Sequence, residues 1–429
     1  MIRVRVPGDK SISHRALLFA TLAGDASSLR GLGDGADVRT TVSLVGRLGA
    51  DVAVDVSGAG RGLDARVEPA TLRAPRSTLE CGNSGTTARL GVGLLAGLGL
   101  EALMDGDESL RARPMGRVMY PLQAMGARID YLGSPERLPV ELHGRASGSL
   151  RPLRHRTRVA SAQVKSAILL AGLAGRVHVE VVEPVQSRDH SERLLSAMGA
   201  PIRVRPGERG HEVRFDPAGW DGRLRGLDLD IPGDPSSAAF LIAAAVLRKV
   251  SIALDGVSDN PTRTAFLDVL SAMGVEVERI PAGDAGGEPI ASWVIRPPSR
   301  LAPFRVAGPM LPRLIDELPV LAALAARAGG VSEIRDAAEL RVKESDRLES
   351  LVTNLRALGV SVEDHAAGMS IHGTSAPLAG TVLARGDHRI AMAFGMLGAG
   401  PDARISIDDP GCASISFPGF WSELERIRS

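Results

Sequence analysis

Repetition constrains this chain more than any other feature of its sequence. Six times a polar, turn-prone start runs into a helix of small apolar residues. The copies are "SISHRALLFATLAG", "NSGTTARLGVGLLAG", "SAQVKSAILLAGLAG", "DPSSAAFLIAAAVL", "IDELPVLAALAARAGG" and "DHRIAMAFGMLGAG". They start at Ser11, Asn83, Ser161, Asp234, Asp316 and Asp387, so successive copies lie 71 to 82 residues apart. Six units of this size fill the 429 residues. A fixed long period means one supersecondary unit used repeatedly, each copy burying its apolar face against the next. The small side chains predict helices that sit inside a domain.

A second motif alternates with the first. It is an amphipathic run, then Leu/Met-Gly-Ala/Val, then an alternating run. Five copies occur: "LVGRLGADVAV", "PLQAMGARIDY", "LLSAMGAPIRV", "VLSAMGVEVER" and "NLRALGVSVED". In the first, Val38, Val42, Val45 and Leu48 recur at helical spacing, Gly49 fits a helix stop, and Val52, Val54 and Val56 follow with the period of a half-buried strand. A sixth copy is missing, unless the C-terminal "FPGFWSELERI" stands for its helix. The fold class is therefore α/β (α+β), built from six units that each hold two helices and several strands.

The polar starts carry the first functional signal. A helix N-terminus exposes unpaired N–H groups and a partial positive charge, which suits an anion. Simple capping by Ser, Asp or Asn accounts for "DPSS". It does not account for the cations and amides at other starts: Lys10, His14 and Arg15; Asn83 and Arg89; Gln163 and Lys165; His388 and Arg389. Lysine is confined to Lys10, Lys165, Lys249 and Lys343, against 51 Lys+Arg in total. Arg stays charged and planar, whereas a lysine ammonium is a compact point charge that shifts its pKa readily. Three further stretches add charge: "LRARPMG" with Arg111 and Arg113, "VQSRDHSER" with Ser187, Arg188 and His190, and "LRVKESDRLES". The last reads as a helix in which Lys343 and Arg347 share a face and Glu344 lies three residues from Arg347.

Composition narrows the class. The formal net charge is +1, so no global field recruits nucleic acid or a membrane. Mean hydropathy is +0.06, ordinary for a soluble globular protein. Two separated cysteines, Cys81 and Cys412, suggest neither a disulfide framework nor a zinc site. No signal peptide is seen, and the most apolar stretch, 238–247, is too short to span a bilayer. A cytoplasmic setting is expected.

Seven stretches together, "PGDKSISHRALL", "GNSGTTARL", "RARPMG", "SAQVKSAILLAGL", "LIDELPVLAALAA", "LRVKESDRL" and "GDHRIAMAF", resemble the motif set of the 3-phosphoshikimate 1-carboxyvinyltransferase (EPSP synthase) family, in the family's order. The resemblance implies a two-domain inside-out barrel with three βαβαββ-type repeats per domain and an active site in the interdomain cleft. The chain would cross twice, so residues 10–230 form one domain and 1–9 plus 231–429 the other. The implied reaction joins shikimate 3-phosphate and phosphoenolpyruvate, with no cofactor and no metal. The expected partners are these two small molecules, with no nucleic acid and no membrane, for a monomer.

The same resemblance implies roles for individual residues. Lys10 would touch both substrates, with Ser11 and Arg15 on the shikimate phosphate. Gly85 would admit phosphoenolpyruvate close to the backbone, and Arg113 would hold its phosphate or carboxylate. Ser161 would bind the 3-phosphate and Gln163 would lie between the ligands. Ser187 or Arg188 would reach the shikimate ligand. Asp316 would accept from the attacking hydroxyl, and Lys343 and Glu344 match a "VKE" motif in which Glu344 shuttles a proton at C3. Arg347 and Arg389 would clamp phosphoenolpyruvate. The chain departs from some family members at Ala162, where a serine is common, near His190, where a tyrosine occurs, at Glu339, where an asparagine stands, and at Ile415, where a lysine stands. Two rivals remain. The related transferase acting on UDP-N-acetylglucosamine usually has Lys-Asn where this chain has Lys10-Ser11, and a cysteine before its Ala-Arg-Pro. A non-catalytic anion- or RNA-binding module would use the basic run Arg151–Arg158, but aromatics for base stacking are only 3%.

Overall fold

The computed structural model describes residues 1–57, 62–146, 149–207 and 210–428. The chain divides into two compact units. Unit 1 comprises residues 1–7, 232–284 and 289–429, and unit 2 comprises 8–231 and 285–288. Each has its own continuous apolar core.

All six repeated starts lead into helices. These are α1 (Lys10–Ala20), α2 (Gly85–Leu98) and α3 (Ala162–Ala174) in unit 2. In unit 1 they are α4 (Pro235–Arg248), α5 (Leu318–Ala325) and α6 (His388–Leu397). Their small residues serve close packing. A Cβ on Gly93 or Gly97 of α2 would come within 2.4 Å of the Ala167 carbonyl oxygen or 2.8 Å of the Ala171 carbonyl oxygen of α3. In three copies the residue where the repeat starts is itself the cap. Asp9 caps α1, Ser84 caps α2, Ser161 caps α3, Asp234 caps α4 and Asp387 caps α6, each accepting from a backbone N–H of the first turn.

The second motif is a helix, a glycine stop and a strand in all five copies. Gly49, Gly126, Gly199, Gly274 and Gly359 have φ between 84° and 98°, a conformation that a Cβ disfavours. The first copy runs Ala36–Arg47, then the strand Asp51–Val56. Val52 and Val54 are half-buried as expected, but Val56 is 67% exposed because it ends its strand.

Among the described residues each unit carries three sheets. In unit 2 the strand Ser27–Leu32 pairs in parallel with Asp228–Asp230 and antiparallel with Leu63–Glu68, which pairs with Asp51–Val56. The sheets around Ala102–Asp105 and Val179–Glu183 repeat that pattern of one parallel and two antiparallel pairings. A late strand thus completes the first sheet of unit 2. In unit 1 the N-terminal strand Ile2–Val4 plays the equivalent part, pairing in parallel with Ile252–Ser258. The sixth unit is abbreviated. Leu378–Val382 pairs in parallel with Ala403–Ile407 in a two-stranded sheet, and the chain ends in the helix Phe420–Arg428 where the other copies form a strand hairpin.

The basic run Arg151–Arg158 forms a strand, Leu153–Arg156, with Arg154 and Arg156 exposed and Arg154 Nε 2.8 Å from Glu180. That is a salt-bridged surface strand. No helix among the described residues is long and apolar enough to cross a membrane.

Candidate active site

In unit 2 the repeated helix starts bring their polar residues together around α3. Arg15, one turn into α1, is buried at 3% exposure. It donates from Nε to Ser191 Oγ (2.9 Å), from Nη2 to Ser166 Oγ (2.9 Å) and from Nη1 to the Ser11 carbonyl (2.9 Å). Burial brings its guanidinium down to about 10, against Glu192 and Asp9, which raise it, so it is still a cation at neutral pH. Arg188, half-buried in the loop before the helix His190–Ala197, acts on Arg15 electrostatically. Lys10, the first residue of α1, is paired with Asp37.

The other arm of α3 is Gln163. Its Oε1 accepts from Arg89 Nη1 (2.9 Å), and its Nε2 donates to Thr86 Oγ1 (3.1 Å). Arg89 also donates to the Pro114 carbonyl (3.0 Å). Arg113 is buried and donates to Asn83 Oδ1 and to Ser109 Oγ (3.1 Å). Gly85 sits against both guanidinium groups. A Cβ there would lie 2.6 Å from Arg89 Nη1 and 3.4 Å from Arg113 Nη1. The glycine keeps the first turn of α2 open beside two cations, the arrangement that a helix N-terminus needs to take an anion. Ser161 caps α3, and Ser187 is buried in the loop before the helix His190–Ala197.

Unit 1 holds a second cluster. Arg347 is the first residue of the helix Arg347–Ala357 and is fully buried. Its Nε lies 2.8 Å and its Nη2 3.2 Å from the two oxygens of Asp387, with Nη2 2.6 Å from Glu344 Oε2 and Nη1 3.6 Å from Asp316 Oδ1. Burial opposes its charge, but Asp387, Glu344 and Asp316 outweigh burial and hold its pKa above the ordinary arginine value. Asp316 faces two further cations, Lys343 Nζ at 4.0 Å and Arg389 Nη2 at 3.8 Å. Arg389 also donates to the Asp316 carbonyl oxygen at 2.7 Å. Asp316 and Glu344 are both half-buried, with side chains 15% and 19% exposed, and the buried Arg347 Nη1 makes no hydrogen bond among the described residues.

Three sequence expectations change here. Lys343 and Glu344 do not share a helix with Arg347. A short 3₁₀ turn ends at Val342, Lys343 is extended, and Asp346 starts a new helix by accepting from the Glu349 N–H at 3.0 Å. The break turns Lys343 and Glu344 into loop residues. His14 is not an anion-binding cation. It is buried, Nδ1 lies 2.6 Å from Thr41 Oγ1, and burial, Lys10 and Arg15 all push its pKa well below 6.5. Lys165 is not open to a ligand either, since it is enclosed between Glu183 and Glu192. Arg89, Ser166, Ser191 and Asp387 belong to the two clusters although they lie outside the expected site. Arg89 carried a signal, as a cation one turn after Gly85. Nothing local links Ser191 to Arg15 across 176 residues.

The family model for EPSP synthase (3-phosphoshikimate 1-carboxyvinyltransferase) matches residues 2–424. The chain belongs to the EPSP synthase family. It is 44% identical over 435 residues to the 3-phosphoshikimate 1-carboxyvinyltransferase of Synechococcus sp. (strain RCC307), covering 99% of this chain and 96% of that one. The protein of that name from Anaeromyxobacter sp. (strain Fw109-5) is 46% identical over 428 residues, with coverage of 99% and 95%. Among solved structures, an EPSP synthase from Acinetobacter baumannii superposes with a TM-score of 0.83 at 34% identity, covering 99% of this chain and 95% of that chain. The α/β architecture is thus that of EPSP synthases.

Proposed function

We propose that this chain transfers the enolpyruvyl group of phosphoenolpyruvate to the 5-hydroxyl of shikimate 3-phosphate, as its EPSP synthase relatives are named for doing. The observation that carries the chemistry is the cluster of Asp316, Lys343, Glu344 and Arg347, where two half-buried carboxylates stand among cations. A binding module for anions would have no use for two acids there. An addition–elimination needs both.

The 5-hydroxyl oxygen bonds to C2 of phosphoenolpyruvate while C3 takes a proton and becomes a methyl group. The C2–O bond to phosphate then breaks, phosphate leaves with the electron pair, and C3 returns a proton to restore the double bond. Asp316 accepts from the hydroxyl, and Glu344 gives and retakes the C3 proton. Lys343, Arg347 and Arg389 hold charge on phosphoenolpyruvate. In unit 2, Arg15, Ser11, Ser161, Gln163, and Ser187 or Arg188 bind shikimate 3-phosphate, Gly85 and Arg113 serve phosphoenolpyruvate, and Lys10 serves both. Neutral oxygens of Ser11, Ser166 and Ser191 orient Arg15, which leaves its charge for a phosphate. The reading includes a cytoplasmic monomer that binds no nucleic acid.

The rival acting on UDP-N-acetylglucosamine is disfavoured because "DGDESLRARP", the stretch before and including Ala112-Arg113-Pro114, holds no cysteine, and Cys81 is buried before a different motif. Phosphate release with phosphoenolpyruvate tests the reading. Release is expected with shikimate 3-phosphate and none with UDP-N-acetylglucosamine; the reverse pattern, or none with either, would sink it.

A further inference from the structure

Lys165 takes no part in the reaction just described, yet it is the most enclosed of the four lysines. Its side chain is fully buried one turn into α3. Nζ lies 2.7 Å from Glu192 Oε1, 2.9 Å from Glu183 Oε2 and 3.5 Å from the Ser187 carbonyl oxygen. Burial works against the charge, but Glu192 and Glu183 outweigh it and hold the lysine pKa above its ordinary value. A buried ion pair seldom stabilises a fold better than apolar residues of the same volume would. Stability alone is a poor account of why it is there.

The second partner of Lys165 shows another use. Glu183 ends the strand Val179–Glu183 and is fully buried. Its Oε1 accepts from the Ser161 N–H at 3.0 Å, and its Oε2 accepts from the Ser187 N–H at 3.3 Å. One carboxylate therefore holds the backbone of two serines from separate segments. Lys165 completes the grip through the Ser187 carbonyl. The serine hydroxyls are left with capacity to spare. Ser187 Oγ is buried and makes no hydrogen bond among the described residues. Ser161 Oγ accepts from the Val164 N–H at a long 3.5 Å, which leaves its own proton to donate. A buried hydroxyl without a partner is costly unless a ligand supplies one.

We propose that Glu183, anchored by Lys165, is a positioning residue for the phosphate of shikimate 3-phosphate: it fixes the spacing of Ser161 and Ser187 so that both hydroxyls donate to one oxyanion. The proposal rests on the function given above. Glu183 need not touch the substrate. Its charge matters because a carboxylate presents two acceptor oxygens to two N–H groups, whereas an amide presents one oxygen and one NH₂.

Calorimetric titration with shikimate 3-phosphate, alongside steady-state kinetics, tests this in Glu183→Gln. Affinity for shikimate 3-phosphate is expected to fall about tenfold or more, as the loss of charge-assisted positioning implies. The kcat and the KM for phosphoenolpyruvate should stay within about threefold, since residue 183 holds no group placed on that substrate. In a Ser187→Ala background the effect of Glu183→Gln should shrink, because part of its route is gone. Unchanged affinity, full additivity with Ser187→Ala, or a uniform fall in every parameter would overturn the proposal. Should the Gln variant fail to fold, Glu183→Asp keeps the charge beside Lys165 but is one methylene short of both N–H groups. The same split is expected there, and wild-type affinity in the Asp variant would refute the idea. A wild-type chain that does not bind shikimate 3-phosphate at all would remove the proposed function and this inference together; a wild type that turns over normally with insensitive variants would remove this inference alone.

Discussion

Asp387 offers the sharpest test of how unit 1 is held together. Its carboxylate and the Arg347 guanidinium are both fully buried, with contacts of 2.8 and 3.2 Å. It also caps α6 by accepting from the Arg389 N–H at 2.9 Å and takes a hydrogen bond from Ser345 Oγ at 3.0 Å. Asp387→Asn keeps the shape and the cap but removes the charge. Breaking a buried pair on one side costs about 3–5 kcal/mol. Arg347 keeps Glu344 at 2.6 Å and Asp316 at 3.6 Å, which places the loss near the low end of that range. Asp387→Ala also deletes the cap, for about 1 kcal/mol more. In a unit of about 200 residues, 1 kcal/mol moves the melting point by about 2–4 °C, so Asn should lower it by about 6–12 °C. Trp293 and Trp421 lie in unit 1 and Trp220 in unit 2, so fluorescence melting in a Trp220→Phe background follows unit 1. The pH dependence fixes the sign. Burial raises the Asp387 pKa, but Arg347 outweighs it and holds the folded value below the usual one. That stabilisation is complete above the unfolded value of about 3.9 and is lost as pH falls through the folded value. The gap between wild type and Asp387→Asn should be constant from about pH 6 to 8 and close below about pH 4. An Asn variant melting within about 1 °C of wild type, or a gap unchanged at low pH, would refute the reasoning.

Other substitutions probe the chemistry. Glu344→Gln should bind both substrates while turnover falls by about 10²–10⁴-fold; solvent deuterium entering the methylene of phosphoenolpyruvate as fast as in wild type would clear Glu344 of the C3 role. Lys10→Arg should lose most activity, because a planar fork cannot replace an ammonium that pairs with Asp37 and, in the proposed function, serves both substrates; wild-type turnover would show that only charge matters there. Gly85→Ala puts a methyl 2.6 Å from Arg89 Nη1 and should raise the KM for phosphoenolpyruvate more than that for shikimate 3-phosphate, and equal KM values with wild type would mean the first turn of α2 is not on the ligand's path.

Much of the fold was legible because it repeats. Six polar starts mark six buried helices, and five glycines mark the turns into strands, since each of those turns takes φ near 90°. The abbreviated sixth unit showed itself as a missing Leu/Met-Gly motif. The placement of the candidate residues was legible where a residue opens a helix: Lys10, Gly85 and Arg389 stand in first turns, Ser161 is a cap, and Arg15 follows one turn on. It was misread at Lys343, where the spacing to Arg347 suits a helix but Asp346 interrupts it. Asp346 and Glu349 were the signal, a cap and its third residue standing before an apolar run. Ser166, Ser191 and Glu183 were hidden for a different reason. Their partners are set by tertiary pairing between segments that no local pattern relates.

The scarcity of lysine now divides into separate causes. Lys249 is exposed in the left-handed turn that ends α4, with φ 56°, and carries no ligand argument. The other three are each placed against carboxylates: Lys10 with Asp37, Lys165 with Glu183 and Glu192, and Lys343 with Asp316. At Lys165 the reason is size. Three oxygens from three segments converge on one nitrogen in a space with no solvent, and a guanidinium spreads its donors over a plane too wide for that convergence. The half-exposed Lys10 and Lys343 are not confined in this way. What they share with Lys165 is the point charge; in the proposed function theirs turns from its carboxylate to an arriving phosphate or carboxylate without repositioning a planar group. Lys249 apart, a chain that writes nearly every other cation as arginine keeps lysine where one nitrogen stands against carboxylate oxygens.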